Sequence, residues 1–329
     1  MRRGAKTMKN SNAKSIKGLL KNEFVAKYGV LIFIILVMMV GTTIVEPVFL
    51  NPANLLNLLV NNNNVFLTAF GMTFVIMAGG IDLAVGSLAA LSGMFVAMLL
   101  ASGVGAIWAF LITLVVCYGL GMLNGLIITK SKIAPFVMTL GTMTIYRGLA
   151  IAINDGYTIP ISIEDPFTFL GSGSILGIPV PICIIIIVFL IGAFLLARTN
   201  IGRNVYAVGG NMEAARISGV NILSTNMFVY GMCTLLAGLS GMILAARMYT
   251  GLPSASSGLE TQAIAAVVLG GTSFTGGDGD IFGTVLGVLL LAIMLNCMVL
   301  LGVPAWLQSV FQGVIIIVAV IFDQIRKSK

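Results

Sequence analysis

The sequence predicts an all-α fold, a polytopic membrane bundle of about ten transmembrane helices, with the N- and C-termini both cytoplasmic. Three observations predict it. The 329 residues are 58% hydrophobic and only 9% charged, with a mean hydropathy of +1.08, whereas a soluble domain carries about 25% charged residues. Apolar runs long enough to cross hydrocarbon recur along the whole chain. The cations gather in the tails and in alternate connections rather than over a folded surface.

Taken in order, residues 1–27 form a basic cytoplasmic tail with Arg2, Arg3, Lys6, Lys9, Lys14, Lys17, Lys21 and Lys27. Such a tail suits an anionic lipid leaflet, at about 1 kcal/mol per charge near the surface. A single membrane domain spans 28–322, and a short tail, 323–329, ends with Arg326, Lys327 and Lys329. The first apolar run, 28–45, ends in Glu46-Pro47 rather than a small-residue cleavage site, so it reads as a retained signal anchor. Further spans fall near 58–79, 83–101, 106–128, 134–153, 179–197, 227–246, 260–272, 281–301 and 305–322, several short or glycine-interrupted and therefore expected to be broken helices.

Lys130, Lys132, Arg198, Arg203 and Arg216 fall on expected inside segments, while the outside loop 154–178 carries Asp155, Glu164 and Asp165 and no Lys or Arg. That is the positive-inside pattern. Arg147 and Arg247 sit near the outer ends of their spans and are expected to snorkel to headgroups. The net charge of +7 is not interleaved with aromatics over a surface, so nucleic acid is excluded as a partner. Cys117, Cys183, Cys233 and Cys297 lie in apolar stretches without a CxxC pair. They read as small buried hydrophobes, with neither metal nor disulfide expected.

Two stretches look alike, each a helix, a glycine-rich acidic break and a second helix. One ends in Gly79-Gly80 and continues through Asp82 to Gly86-Ser87; the other ends in Gly270-Gly271 and continues through Asp278 and Asp280 to Gly283-Thr284. A duplicated half explains the likeness, and so does close packing by small residues. Asp82 reads as a gate or latch beside a pathway, or as the N-cap of the third helix, the cap being preferred; it should not face lipid. A proton relay is disfavoured because no second intramembrane carboxylate pairs with it. Asn61 and Asn64, in the run of four asparagines 61–64, could line an outer mouth or begin an interfacial helix. Asn124, Thr139, Thr142, Tyr146 and Asn296 could bind a hydroxylated solute or hold neighbouring helices together, with helix contact preferred.

The inside loop 198–226 is the longest polar connection between spans. Within it, Asn211 suits an N-cap, Glu213 the first turn and Gly219 a C-terminal stop, with Ala214, Ala215 and Arg216 between them. An Ala-lined face suited to docking in a cleft is expected. The chain has no GxxxxGK[ST] phosphate loop and no histidine, so ATP hydrolysis by the usual machinery is not expected of it.

Glu213-Ala214-Ala215 followed by Gly219 resembles the EAA-x-x-x-G motif of ABC-importer permeases. Gly79-Gly80-Ile81-Asp82-Leu83-Ala84-Val85-Gly86-Ser87 is similar to the GGIDLSVGS signature of the ribose, xylose, galactose and related sugar permeases, with Ala84 in place of the usual Ser. Thr139-Leu140-Gly141-Thr142 with Tyr146-Arg147-Gly148, and Gly270-Gly271-Thr272-Ser273 with Gly276-Gly277 and Gly283-Thr284, resemble further segments of that family in the same order, over roughly 50–320. The resemblance implies a non-enzymatic permease subunit in a bacterial inner membrane, with a coupling helix at 211–219. It also implies a homodimer of permeases, a cytoplasmic ATP-binding subunit that holds ATP and Mg, and a periplasmic or lipid-anchored sugar-binding protein. No cofactor is expected on the chain itself. Ribose is the expected solute; another sugar, a nucleoside or an amino acid is the alternative, and an ion-driven secondary transporter a distant one.

Overall fold

The computed structural model describes residues 23–327 and is built almost wholly of helices. The basic residues Arg2 to Lys21, and Lys329, lie outside the described residues. In chain order the helices are α1 (Glu23–Val45), α2 (Pro52–Asn61), α3 (Asn63–Met77), α4 (Val85–Ala101), α5 (Ala106–Ser131), α6 (Pro135–Ala152), the single turn α7 (Phe169–Ser172) and α8 (Val180–Arg198). They continue as α9 (Asn200–Gly210), α10 (Met212–Ile217), α11 (Ile222–Met248), α12 (Leu259–Leu269), α13 (Ile281–Leu300) and α14 (Ala305–Lys327).

Every expected apolar run falls on a helix, and three of the boundaries that differ do so for identifiable reasons. The run 58–79 is divided, because Asn51 caps a separate helix that opens with Pro52 and ends at Asn61. The third span begins at Val85 rather than at 83, since Asp82 and Ala84 form a turn ahead of the helix. The seventh begins at Ile222, where Asn221 accepts from Ser224 N–H at 3.0 Å and so draws the polar Ser224, Thr225 and Asn226 into the first turns.

Among the described residues, five helices are long and apolar enough to cross a membrane: Tyr28–Val45, Ala106–Ser131, Val180–Arg198, Ile222–Met248 and Ile281–Leu300. The apolar α3, α4 and α12 are shorter; at 1.5 Å per residue none of them reaches the ~30 Å of a hydrocarbon core, consistent with helices that break within the bundle. Val30, Phe33, Ile107, Trp108, Val115, Leu190 and Phe194 are more than half exposed. An apolar belt of that extent calls for lipid or protein rather than water.

The middle of the bundle is α11, packed against α3, α4 and α5. Small residues bring the backbones together: a β-carbon at Gly71 would lie 2.7 Å from Cys233 Cα, and one at Gly125 2.6 Å from the Asn226 carbonyl oxygen. Ser92 Oγ on α4 donates to the Gly238 carbonyl on α11 at 2.9 Å. A second layer pairs α12 with α13 and α13 with α1, and Asn54 and Asn296 exchange amide hydrogen bonds at 3.1 and 3.3 Å. Cys117, Cys233 and Cys297 are buried, as expected of small hydrophobes, Cys183 is half-buried, and all four are free. The connection 154–178 holds the short strands β1 (Ile159–Pro160), β2 (Ser174–Ile175) and β3 (Ile178–Pro179). There β1 pairs with β4 (Thr250–Gly251), and β2 with β3 through a turn at Leu176 and Gly177.

Candidate functional site

The polar connection after α8 folds into two helices rather than the one expected. Thr199 Oγ1 accepts from Gly202 N–H at 3.3 Å and starts α9. The chain then turns sharply at Asn211, whose Oδ1 accepts from Ala214 N–H at 2.9 Å and caps α10. Glu213 in the first turn and Arg216 in the last lie 3.7 Å apart, both largely exposed; each sits where the helix dipole favours its charge, but the ion pair itself contributes little. The stop is Gly219, at φ +85°, a conformation other residues enter at a cost of about 1–2 kcal/mol. Gly219 N–H donates to the Arg216 carbonyl at 3.1 Å and Val220 N–H to that of Ala215 at 3.0 Å.

The expected Ala-lined docking face does not form, because Ala215 turns into the bundle and only Ala214 stays outside. The outward face instead carries Met212, 47% exposed, and Ile217, 85% exposed, beside Glu213 and Arg216. Sequence reasoning missed these two, although an apolar residue at each end of a capped polar helix was the available signal. Next to α10 an open cavity of about 490 Å³ reaches the first break, lined in part by Gly80, Lys132, Glu213, Arg216, Asn226 and Tyr230.

The two breaks are built alike. Helix α3 ends with Gly79 at φ +80°, Gly79 N–H donating to Ile76 and Gly80 N–H to Val75, both at 2.9 Å. Helix α12 ends past Gly270 with Gly271 at φ +87°, Gly271 N–H donating to Val268 at 2.9 Å and Thr272 N–H to Val267 at 3.2 Å. Asp280 then caps α13, its Oδ1 accepting from Gly283 N–H at 2.7 Å and its Oδ2 from the Tyr28 hydroxyl. The breaks also touch: Gly277 N–H donates to the Met77 carbonyl at 2.9 Å.

Asp82 departs from expectation in one respect. It is fully buried, not lipid-facing, but it does not cap α4: Ala84 holds that position, and Asp82 Oδ1 accepts from Ala84 N–H at 2.9 Å in a turn just ahead of the helix. Its Oδ2 and the buried Ser87 Oγ have no hydrogen-bond partner among the described residues. The neighbouring Ile81 carbonyl accepts from Thr139 Oγ1 at 3.4 Å and from the Tyr230 hydroxyl at 3.5 Å. Over Gly86 lie the Glu260 carboxylate and, 2.6 Å from where a β-carbon would stand, the Ser256 carbonyl. Glu260 is only 9% exposed, a buried carboxylate that sequence reasoning overlooked because it stands at the very start of a span.

Asn124, Thr139, Thr142 and Tyr146 do come together, buried between α5 and α6. Asn124 Nδ2 donates to Thr142 Oγ1 and the Tyr146 hydroxyl to Asn124 Oδ1, each at 3.4 Å. Those three side chains thus bond one another across α5 and α6, whereas the Thr139 hydroxyl donates to the Pro135 carbonyl at 2.9 Å. Asn61 and Asn64 stand at the opposite end of α3 from the break, about 20 Å away along its axis. Asn63 is the buried member of that run, donating to the Pro181 carbonyl at 2.8 Å.

The two arginines bond groups within the bundle. Arg147 donates to the Pro253 and Ala255 carbonyls at 2.6 and 3.0 Å, and Arg247 to the Val60 carbonyl at 3.3 Å and to Asn61 Oδ1. Loop carbonyls inside an apolar bundle need donors, and a guanidinium supplies several from one side chain.

Residues 54–320 match the family described as branched-chain amino acid transport system / permease component. The chain belongs to this permease family. The permease is 44% identical over 289 residues to the ribose import permease protein RbsC of Bacillus subtilis (strain 168), covering 88% of this chain and 90% of that one. It is 37% identical over 299 residues to the L-arabinose ABC transporter permease protein AraH of Azospirillum brasilense, covering 91% and 88% respectively. It is 36% identical over 300 residues to the D-allose transport system permease protein AlsC of Escherichia coli (strain K12), covering 91% and 92%. No solved structure matches. The permease is thus a multi-pass membrane protein of the ABC sugar-importer type, as its ordered motifs implied.

Proposed function

We propose that this permease forms, as a homodimer in a bacterial inner membrane, the translocation path for ribose, delivered by a periplasmic or lipid-anchored binding protein. Its ten crossings place both termini in the cytoplasm, where a separate subunit binds and hydrolyses ATP with Mg. The permease is not an enzyme; it changes which side the path opens to when the ATP-binding subunit changes shape, and it can do so only through contacts that differ between those shapes. The observation that carries the coupling role is the short capped helix α10, which holds Met212 and Ile217 outward beside Glu213 and Arg216. Apolar side chains on so polar a helix call for a protein surface to cover them. Ribose is favoured by the 44% identity to a ribose import permease, while the relatives named for L-arabinose and D-allose keep other monosaccharides in play.

The test is uptake of labelled ribose by cells carrying the permease with its neighbouring transport subunits, with competition by unlabelled arabinose, allose, nucleosides and branched-chain amino acids. Ribose should compete best. Stronger competition by an amino acid would overturn the sugar assignment, and uptake that persists in vesicles without ATP would overturn the importer reading.

A further inference from the structure

Three glycine-rich segments far apart in sequence meet in one place: the first break at Gly79, the end of α9 at Gly209 and Gly210, and the second break at Gly276 and Gly277. A β-carbon at Gly209 would overlap the Met77 carbonyl oxygen and lie 2.6 Å from Gly277 N. One at Gly276 would lie 2.9 Å from the Gly209 carbonyl oxygen and 3.0 Å from Gly79 Cα, and one at Gly277 would lie 2.7 Å from Gly210 Cα. Gly276 and Gly277 hold φ of +86° and +76°, which puts their backbones rather than side chains against the neighbouring segments. The Gly277 to Met77 hydrogen bond crosses the same point, and the Tyr206 hydroxyl on α9 donates to the Gly279 carbonyl at 2.8 Å. Burial and the nearby Asp280 and Asp278 push the Tyr206 phenol up in pKa, so it remains the neutral donor this bond needs.

We propose that this glycine junction is the mechanical link of the transporter, with Gly209 and Tyr206 as positioning residues that carry movement of α10 into both breaks at once. The inference rests on the importer reading above and adds the route of coupling to it. The physical ground is stiffness. Long side chains can take up a displacement by changing rotamer, but backbone packed on backbone cannot, so a shift of α9 must move Met77 to Gly80 and Gly276 to Gly279 with it. Both breaks lead directly into helices, α4 and α13, so one push at α10 would reorient two helices of each protomer together.

The experiment compares Gly209→Ala, Gly119→Ala and Tyr206→Phe in membranes from cells expressing the full transporter, reading MgATP hydrolysis by the co-purified complex and ribose uptake on the same preparations. Gly119 on α5 lies outside the junction and has open space where its β-carbon would stand, so Gly119→Ala is the internal control. Gly209→Ala is expected to keep its ATP-hydrolysing partner and at least half of the wild-type hydrolysis while ribose taken up per ATP falls tenfold or more. Tyr206→Phe should lower that ratio about threefold, and Gly119→Ala should leave it unchanged. Wild-type ratios in Gly209→Ala and Tyr206→Phe overturn the junction. If Gly209→Ala fails to reach the membrane, the ratio in Tyr206→Phe decides by itself. Failure of the wild-type chain to retain an ATPase or to take up ribose overturns the importer reading and the junction with it, and is recognised before any variant is compared.

Discussion

Asp82 holds its turn through one carboxylate oxygen and leaves the other unpaired, and that asymmetry separates two substitutions. Asp82→Asn keeps an oxygen to accept from Ala84 N–H and removes a buried charge, so the turn should survive. Asp82→Ala strands the Ala84 N–H in the protein interior at a cost of about 1–3 kcal/mol. Thermal melting of the detergent-solubilised permease is expected to rank wild type and Asn together and Ala several degrees lower. Equal melting of all three would mean that the carboxylate does not stabilise the turn.

Arg147 is tied to a single segment by two carbonyls, Pro253 and Ala255, with Glu260 as its anionic neighbour. Arg147→Met should therefore loosen the connection between α11 and α12, seen as faster proteolysis within 252–258 and a lower melting temperature. Arg147→Lys should fall between, since one ammonium replaces a planar fork with a compact point charge. Unchanged proteolysis in Arg147→Met would return the side chain to the lipid headgroups that its sequence position suggested.

Among the elements, helix α5 shows most directly how small residues decide the packing. A β-carbon at Gly121 would run into Thr234 Oγ1 and the Tyr230 carbonyl of α11, whereas Gly119, two residues earlier, faces open space. Gly121→Val is expected to abolish stable insertion, measured as membrane-integrated protein, and Gly119→Val to leave it near wild type. Equal loss in both would point to helix propensity rather than contact with α11.

The elements also show what could be read from sequence. The apolar runs located the spanning helices because hydrocarbon length sets a minimum run, and α10 was marked in full by its own cap, Asn211, and its own stop, Gly219. Helix α9 was not, since its glycines and polar residues read as loop and its order comes from packing on the two breaks. The partners of Arg147 and Arg247, backbone carbonyls and the Asn61 side chain, lie more than a hundred residues away; a carbonyl has no residue type to betray it. Asp82 was kept from lipid but read as the cap of the helix, because nothing local distinguishes a turn at 82–84 from a cap.

For the whole molecule, the bundle is two packed layers about α11 and α13 whose glycine breaks meet beside the base of α10. In that arrangement a force applied at Met212 to Gly219 acts on the ends of helices rather than on their sides, which is where a helix can be tilted with the least disruption of its packing. The solute itself is only faintly encoded. The polar side chains that looked suited to a sugar, Asn124, Thr142 and Tyr146, bond one another, and selectivity is expected to rest with the binding protein.

The central claim is that α10 receives the ATP-binding subunit, and affinity purification of the permease from its native membrane in mild detergent tests it most directly, with wild type compared with Glu213→Lys. Glu213 is exposed and, among the described residues, faces Arg216 at the surface, so its reversal should leave insertion and yield of the permease intact. The account predicts that wild type brings down an ATP-hydrolysing subunit and that Glu213→Lys, recovered in equal amount, brings down at most a tenth as much. Equal recovery of the ATPase with both chains, or a permease that purifies alone in either case, would contradict it.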